Sequence, residues 1–116
     1  MRETQEVRDR VVLVGLNSPV LKREENADET TMEELAALVE TAGAETVGIV
    51  LQNRPSPDPR TFIGEGKVGE VKEYCQNNGA TMVIFDNDLS PSQLRVLTEA
   101  LGVQVLDRCE IGRAHV

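Results

Sequence analysis

Four short aliphatic runs alternate with stretches of helical period, and this alternation restricts the fold more than any other feature. The runs are VVLVGL at 11–16, ETVGIVLQ at 45–52, TMVIFD at 81–86 and VQVLD at 103–107. A near-continuous run of Val, Ile and Leu suits a strand buried on both faces, the usual condition in a parallel sheet. Between the runs, apolar residues recur every three or four positions. One set is Met32, Leu35, Ala36, Leu38 and Val39; the next is Val68, Val71, Tyr74 and Cys75; the last is Leu94, Val96, Leu97 and Leu101. The order strand, helix, strand, helix, strand, helix, strand (βαβαβαβ) predicts an α/β fold: a four-stranded, mainly parallel sheet with helices packed on its faces.

The punctuation fits this order. Thr30 or Thr31 is expected to cap the first helix, with Glu33 or Glu34 three residues on, and Gly43 to end it. The second helix is expected over 68–77, stopped by Asn78-Gly79, with Gly64 and Gly66 making a tight turn into it. Ser90 reads as the cap of the third helix, Pro91 as its first residue and Gly102 as its close. The loops at the carboxyl ends of the strands are then 17–30, 53–66 and 87–90. Ligands of open parallel sheets gather at that edge.

Composition narrows the partners. Aromatic residues are only 3% of the chain, so the core is aliphatic and platforms for stacking bases are scarce. Tyr74, Phe62 and Phe85 all occupy positions suited to a core. A net charge of -8 argues against broad attraction to DNA, RNA or anionic membranes and leaves room only for a local basic patch. Cys75 and Cys109 lack metal-binding spacing, which favours a reducing compartment. No apolar run is long enough for a membrane span and the charged start, MRETQEVRDR, is no secretory signal, so a cytoplasmic location is expected.

Three stretches invite a chemical reading. DPRTFIGEGKVGEV, residues 58–71, places Lys67 directly after a glycine pair. A phosphate loop needs two glycines four residues apart followed by Lys and Ser or Thr, and a dinucleotide fingerprint needs a strand directly before it. Here Gly64 and Gly66 are one residue apart, no hydroxyl follows Lys67, Glu65 adds a negative charge, and a Pro-rich loop precedes. Arg54, Arg60 and Lys67 nevertheless put three cations in one loop region of an acidic chain, where arginine forks and a helix N-terminus suit phosphates. The plainer alternative is a solvated loop with charge pairing to Asp58 or Glu65. In FDNDLSPSQ, Asp86 and Asp88 either hold magnesium, as in a receiver-like domain, or organise the turn and the helix start. With His115 as the only histidine and no nucleophile–base pair, no catalytic residue and no metal site are assigned.

DPRTFIGEGKVGEV, VIFDNDLSPSQLRVL and LGVQVLDR together resemble the N-terminal domain of the HflX family of ribosome-associated GTPases, over residues 11–108. The resemblance implies a domain that contacts the large ribosomal subunit through ribosomal RNA, in a protein that splits or rescues ribosomes. It also implies that GTP and magnesium belong to a later GTPase domain, a further partner, so that no cofactor is expected in this chain. Arg54, Arg60, Thr61, Gly64, Gly66 and Lys67 become the expected RNA-facing or domain-facing surface. The alternatives are a small ATP- or nucleotide-binding domain using the loop after the second strand, and the receiver-like domain. Residues 1–110 are expected to form the domain. Residues 111–116, IGRAHV, match the translation of a sequencing-adapter start and are expected to be a non-native read-through tail.

Overall fold

The computed structural model describes residues 8–110; the tail expected at 111–116 lies outside them. Four strands and three α-helices follow in the expected order: β1 (Arg10–Asn17), α1 (Glu29–Thr41), β2 (Glu45–Asn53), α2 (Glu65–Asn78), β3 (Met82–Phe85), α3 (Pro91–Leu101) and β4 (Gln104–Leu106), with a short 3-10 helix at Arg23–Glu25 in the loop after β1. The strands form one parallel sheet in the order β2-β1-β3-β4. β1 is therefore central, and residues 11–16 are buried on both faces, which explains their unbroken aliphatic character.

Alternation along β1 divides the core. Val12, Val14 and Leu16 join Val71, Cys75, Phe85, Leu97 and Leu101, so α2 and α3 cover one face. Val11 and Leu13 join Met32, Leu35, Val39 and Ile84 under α1 on the other. Two residues of the helical patterns leave the core. Leu38 is 43% exposed, and Tyr74 lies at the rim, where its hydroxyl donates to the Val47 carbonyl at 3.0 Å.

Local chemistry sets the helix ends, with two corrections to expectation. α1 begins at Glu29, and its cap is Asp28 rather than Thr30 or Thr31. The Asp28 carboxylate accepts from the Thr31 amide and the Thr31 hydroxyl accepts from the Asp28 amide, both at 2.9 Å, so aspartate and threonine form the capping box. α2 begins at Glu65, three residues earlier than 68, so Gly66 lies inside its first turn and Gly64 is its cap with a negative φ of -63°. The tight turn falls instead at Phe62, φ 66°, where burial of the ring holds an unfavourable backbone geometry in place. α3 matches expectation: Ser90 caps it, Pro91 opens it, and Gly102 closes it in the left-handed region, as Gly79 closes α2.

Candidate functional site at the carboxyl edge of the sheet

In open parallel sheets the ligand crevice lies where the strand order reverses, here between β1 and β3. In this chain the protein's own polar groups fill that position. Asn87 is fully buried; its side-chain oxygen accepts from the Leu16 amide at 2.9 Å, and its side-chain nitrogen donates to the carbonyls of Leu16 at 3.1 Å and Glu25 at 2.9 Å. Arg108 reaches in from beyond β4 and donates to the carbonyls of Glu24 at 2.6 Å, Asn26 at 2.9 Å and Asp86. Its Nε also meets the Asp86 carboxylate at 3.2 Å, whose other oxygen accepts the Thr31 hydroxyl at 2.6 Å. The loop after β1 is thus tied to β3, to α1 and to the segment after β4.

Neither reading of Asp86 and Asp88 describes this network. Asp86 is buried and its two oxygens are occupied by Arg108 and Thr31, whereas Asp88 is exposed. They do not converge on one ion position, and among the described residues no group of three His, Cys, Asp or Glu side chains could hold a metal. Nor do they organise the turn into α3. That role falls to Asp107, whose carboxylate accepts from the amides of Leu89 and Glu110, both at 2.9 Å. Asn87, Asp107 and Arg108 give no local signal in the sequence because their side-chain partners lie 18 to 84 residues away, the Asp107–Glu110 bond excepted.

The loop after β2 forms the second half of the edge. Asp58 and Phe62 exchange backbone hydrogen bonds of 2.9 and 2.8 Å, closing a compact turn. The Asp58 carboxylate accepts from the amides of Arg60 at 2.8 Å and Thr61 at 3.1 Å. These bonds, the Arg60 amide foremost, hold the Asp58 carboxyl below its usual value. A lowered native value stabilises the fold in full above the unfolded pKa and ceases to do so as pH falls through the native value. Asp58→Asn is therefore expected to flatten the acid limb of stability as pH falls below the ordinary carboxylate value of about 4. Urea unfolding across that window checks this; an acid limb as steep as that of the unsubstituted chain would contradict it. The Gln93 side chain ties the turn to α3 by donating to the carbonyls of Asp58 at 3.3 Å and Pro59 at 3.2 Å.

The structure separates the expected surface residues into two groups. Thr61 and Gly64 are buried supports: the Thr61 hydroxyl donates to the Ile63 carbonyl at 2.7 Å, and the Gly64 amide donates to the Gln52 side chain at 3.0 Å. The Arg54 guanidinium packs against Gly64, so that a Cβ there would displace the tip of the arginine. Arg60 and Gly66 are exposed, Arg54 is half-buried, and Lys67 is the third residue of α2, paired with Glu70 at 3.0 Å. Arg60 and Glu65 form a loose, largely exposed pair at 3.5 Å. Two further exposed cations, Lys22 and Arg23, occupy the loop after β1, joined to the loop after β2 where the Ser18 hydroxyl donates to the Pro55 carbonyl at 2.9 Å. Their position after the first strand was the sequence signal that could have placed them on this edge.

A groove of about 350 Å³ lies beside the turn, lined by residues that include Arg60, Glu65, Val68, Val96 and Glu99. Two carboxylates against one guanidinium make it a poor cradle for a polyphosphate. The sequence contains no Gly-x4-Gly-Lys-Ser/Thr phosphate loop. Arg60 is the exposed cation of the turn that leads into α2, paired loosely with Glu65 of the first helical turn.

The comparisons agree with this architecture. The family profile described as GTP-binding GTPase N-terminal matches residues 29–111. A GTPase HflX from Lacrimispora saccharolytica is 40% identical over 91% of this chain and 24% of its own length. The GTPase HflX of Escherichia coli is 37% identical over 72% of this chain and 20% of its own. A crystal structure of SsGBP in complex with GDP superposes with a TM-score of 0.63 and 22% identity, over 95% of this chain and 30% of that one, which bears on the fold alone. The chain thus spans about a quarter of the length of the curated relatives it matches. No helix among the described residues is long and apolar enough to cross a membrane. On sequence and fold together, the chain belongs to the HflX GTPase family and corresponds to the N-terminal region of its members.

Proposed function

We propose that this domain contacts the large ribosomal subunit through ribosomal RNA, with the carboxyl-edge cations Arg54, Arg60, Lys22 and Arg23 meeting phosphates. The observation that carries the reading is that these cations come from two hydrogen-bonded loops on one edge of a chain whose net charge is -8. Gly66 and Lys67 extend the surface along the first turn of α2, while Thr61 and Gly64 hold its shape. Hydrolysis of GTP, with its magnesium, falls to a part of the relatives beyond the matched region, and this chain acts as a binding module of the cytoplasm in ribosome splitting or rescue.

The test is pelleting of the chain with purified large subunits at about 50 and 200 mM salt. Each phosphate contact adds a slope of about 0.7 to 0.9 in log K against log salt, so three or four contacts predict a loss of affinity of about tenfold or more. Co-pelleting that is absent at low salt, or equal at both salts, would contradict the proposal.

A further inference from the structure

A second surface lies away from this edge, along β2. β2 is an outer strand of the sheet. In a parallel pair the N–H and C=O of one residue point to the same neighbour, and those of the next residue point away. The Arg54 amide donates to Asn17 of the β1 side at 3.0 Å, so by alternation the backbone groups of Ile49, Leu51 and Asn53 face outward. The Val47 carbonyl has the same outward sense, and there it accepts the Tyr74 hydroxyl.

Natural edges are blunted by lysines, prolines, bulges or covering side chains. One half of β2 is treated in this way. Its register shifts opposite Val11 and Val12, and Tyr74 packs over Gly48, where any Cβ would collide with the ring. The half from Ile49 to Asn53 contains no lysine, arginine or proline. Ile49 is 48% exposed, and with Leu51 and Met32 it lines a groove of about 360 Å³ between α1 and the strand. The same groove is walled by Glu29 and Glu33, which form no ion pair with any described residue.

We propose that this half of β2 is a docking strip for an extended protein segment of alternating apolar and basic residues, which pairs with the edge as an added strand. Its backbone meets the outward groups of Ile49, Leu51 and Asn53. One apolar side chain enters the groove against Ile49 and Met32, and its lysines or arginines face Glu29 and Glu33. Strand addition of this kind draws affinity from main-chain bonds and selectivity from alternate side chains. A second copy of the chain is a poor occupant, because pairing two such edges would bring four carboxylates of the groove walls together.

The full chain, labelled with ¹⁵N, is titrated with an acetylated eight-residue peptide alternating lysine and valine, and with its glutamate–valine counterpart. The lysine peptide is expected to shift the amides of Ile49, Leu51 and Asn53 and slow their exchange, and to bind about tenfold more tightly than the glutamate peptide at low salt. Ile49→Asp is expected to abolish the shifts. Glu29→Lys with Glu33→Lys, on the exposed side of α1, is expected to reverse the charge preference, and keeps the test sharp if Ile49→Asp disturbs folding. Shifts that avoid β2, equal binding of both peptides, or a preference that survives the double charge reversal would overturn the proposal. So would sedimentation showing the chain dimerising through β2, which would assign the edge to a second copy.

Discussion

Asn87→Ala is expected to lower the unfolding free energy by about 3 kcal/mol, the sum of roughly 1 kcal/mol for each of three lost hydrogen bonds. The residue is fully buried and serves both the amide and the carbonyl of Leu16 and the carbonyl of Glu25. The two Leu16 bonds are buried, so losing their partner leaves the Leu16 amide and carbonyl desolvated and uncompensated. A domain of this size has about 5–15 kcal/mol in all, so the loss moves the urea midpoint by a large fraction. Amide exchange at Leu16 should accelerate with it. A change under about 1 kcal/mol would mean that the loop after β1 is not held by this side chain.

Arg108→Ala is expected to cost about 2–3 kcal/mol, at or just below the low end for breaking a buried pair because the arginine is partly exposed. It leaves Asp86, which is buried, with the Thr31 hydroxyl as its remaining side-chain donor. It also strips a donor from the carbonyls of Glu24 and Asn26. Arg108→Lys should recover less than half of the loss, because one ammonium cannot span four acceptors as a planar fork does. Chemical denaturation of both variants checks this, and full recovery by lysine would show that charge alone, not the fork, holds the segment after β4 to the loop after β1.

The fold was legible where its causes are local. The strands showed as aliphatic runs because the central position of β1 demands apolar residues on both faces. The Ser90-Pro91 start and the Gly102 end of α3 were readable because cap, first residue and stop each have their own chemistry. Local signals misled where two candidates stood side by side: Thr30 and Thr31 drew attention from Asp28, which needs Thr31 as its partner. The glycine pair drew attention from Phe62, because a positive φ at a phenylalanine leaves no trace in composition. The Arg54 side chain folds back onto Gly64, ten residues on, a contact across the loop that turn chemistry alone does not announce. Strand order and the Asn87 and Arg108 ties depend on contacts between distant segments, so no window along the chain contains them.

The central claim is that the carboxyl edge, rather than overall charge, carries the contact with ribosomal RNA. The most direct measurement compares two fourfold alanine variants of equal charge in large-subunit binding across a salt series. One removes Lys22, Arg23, Arg54 and Arg60 from the carboxyl-edge loops; the other removes Arg8, Arg10, Lys72 and Arg95, which lie elsewhere. The account predicts that the first variant lowers the salt slope by about 3 and abolishes binding at about 150 mM salt, while the second, once shown to be folded, binds within a few-fold of the unsubstituted chain. Equal loss in the two variants, or a larger loss in the second, would contradict it.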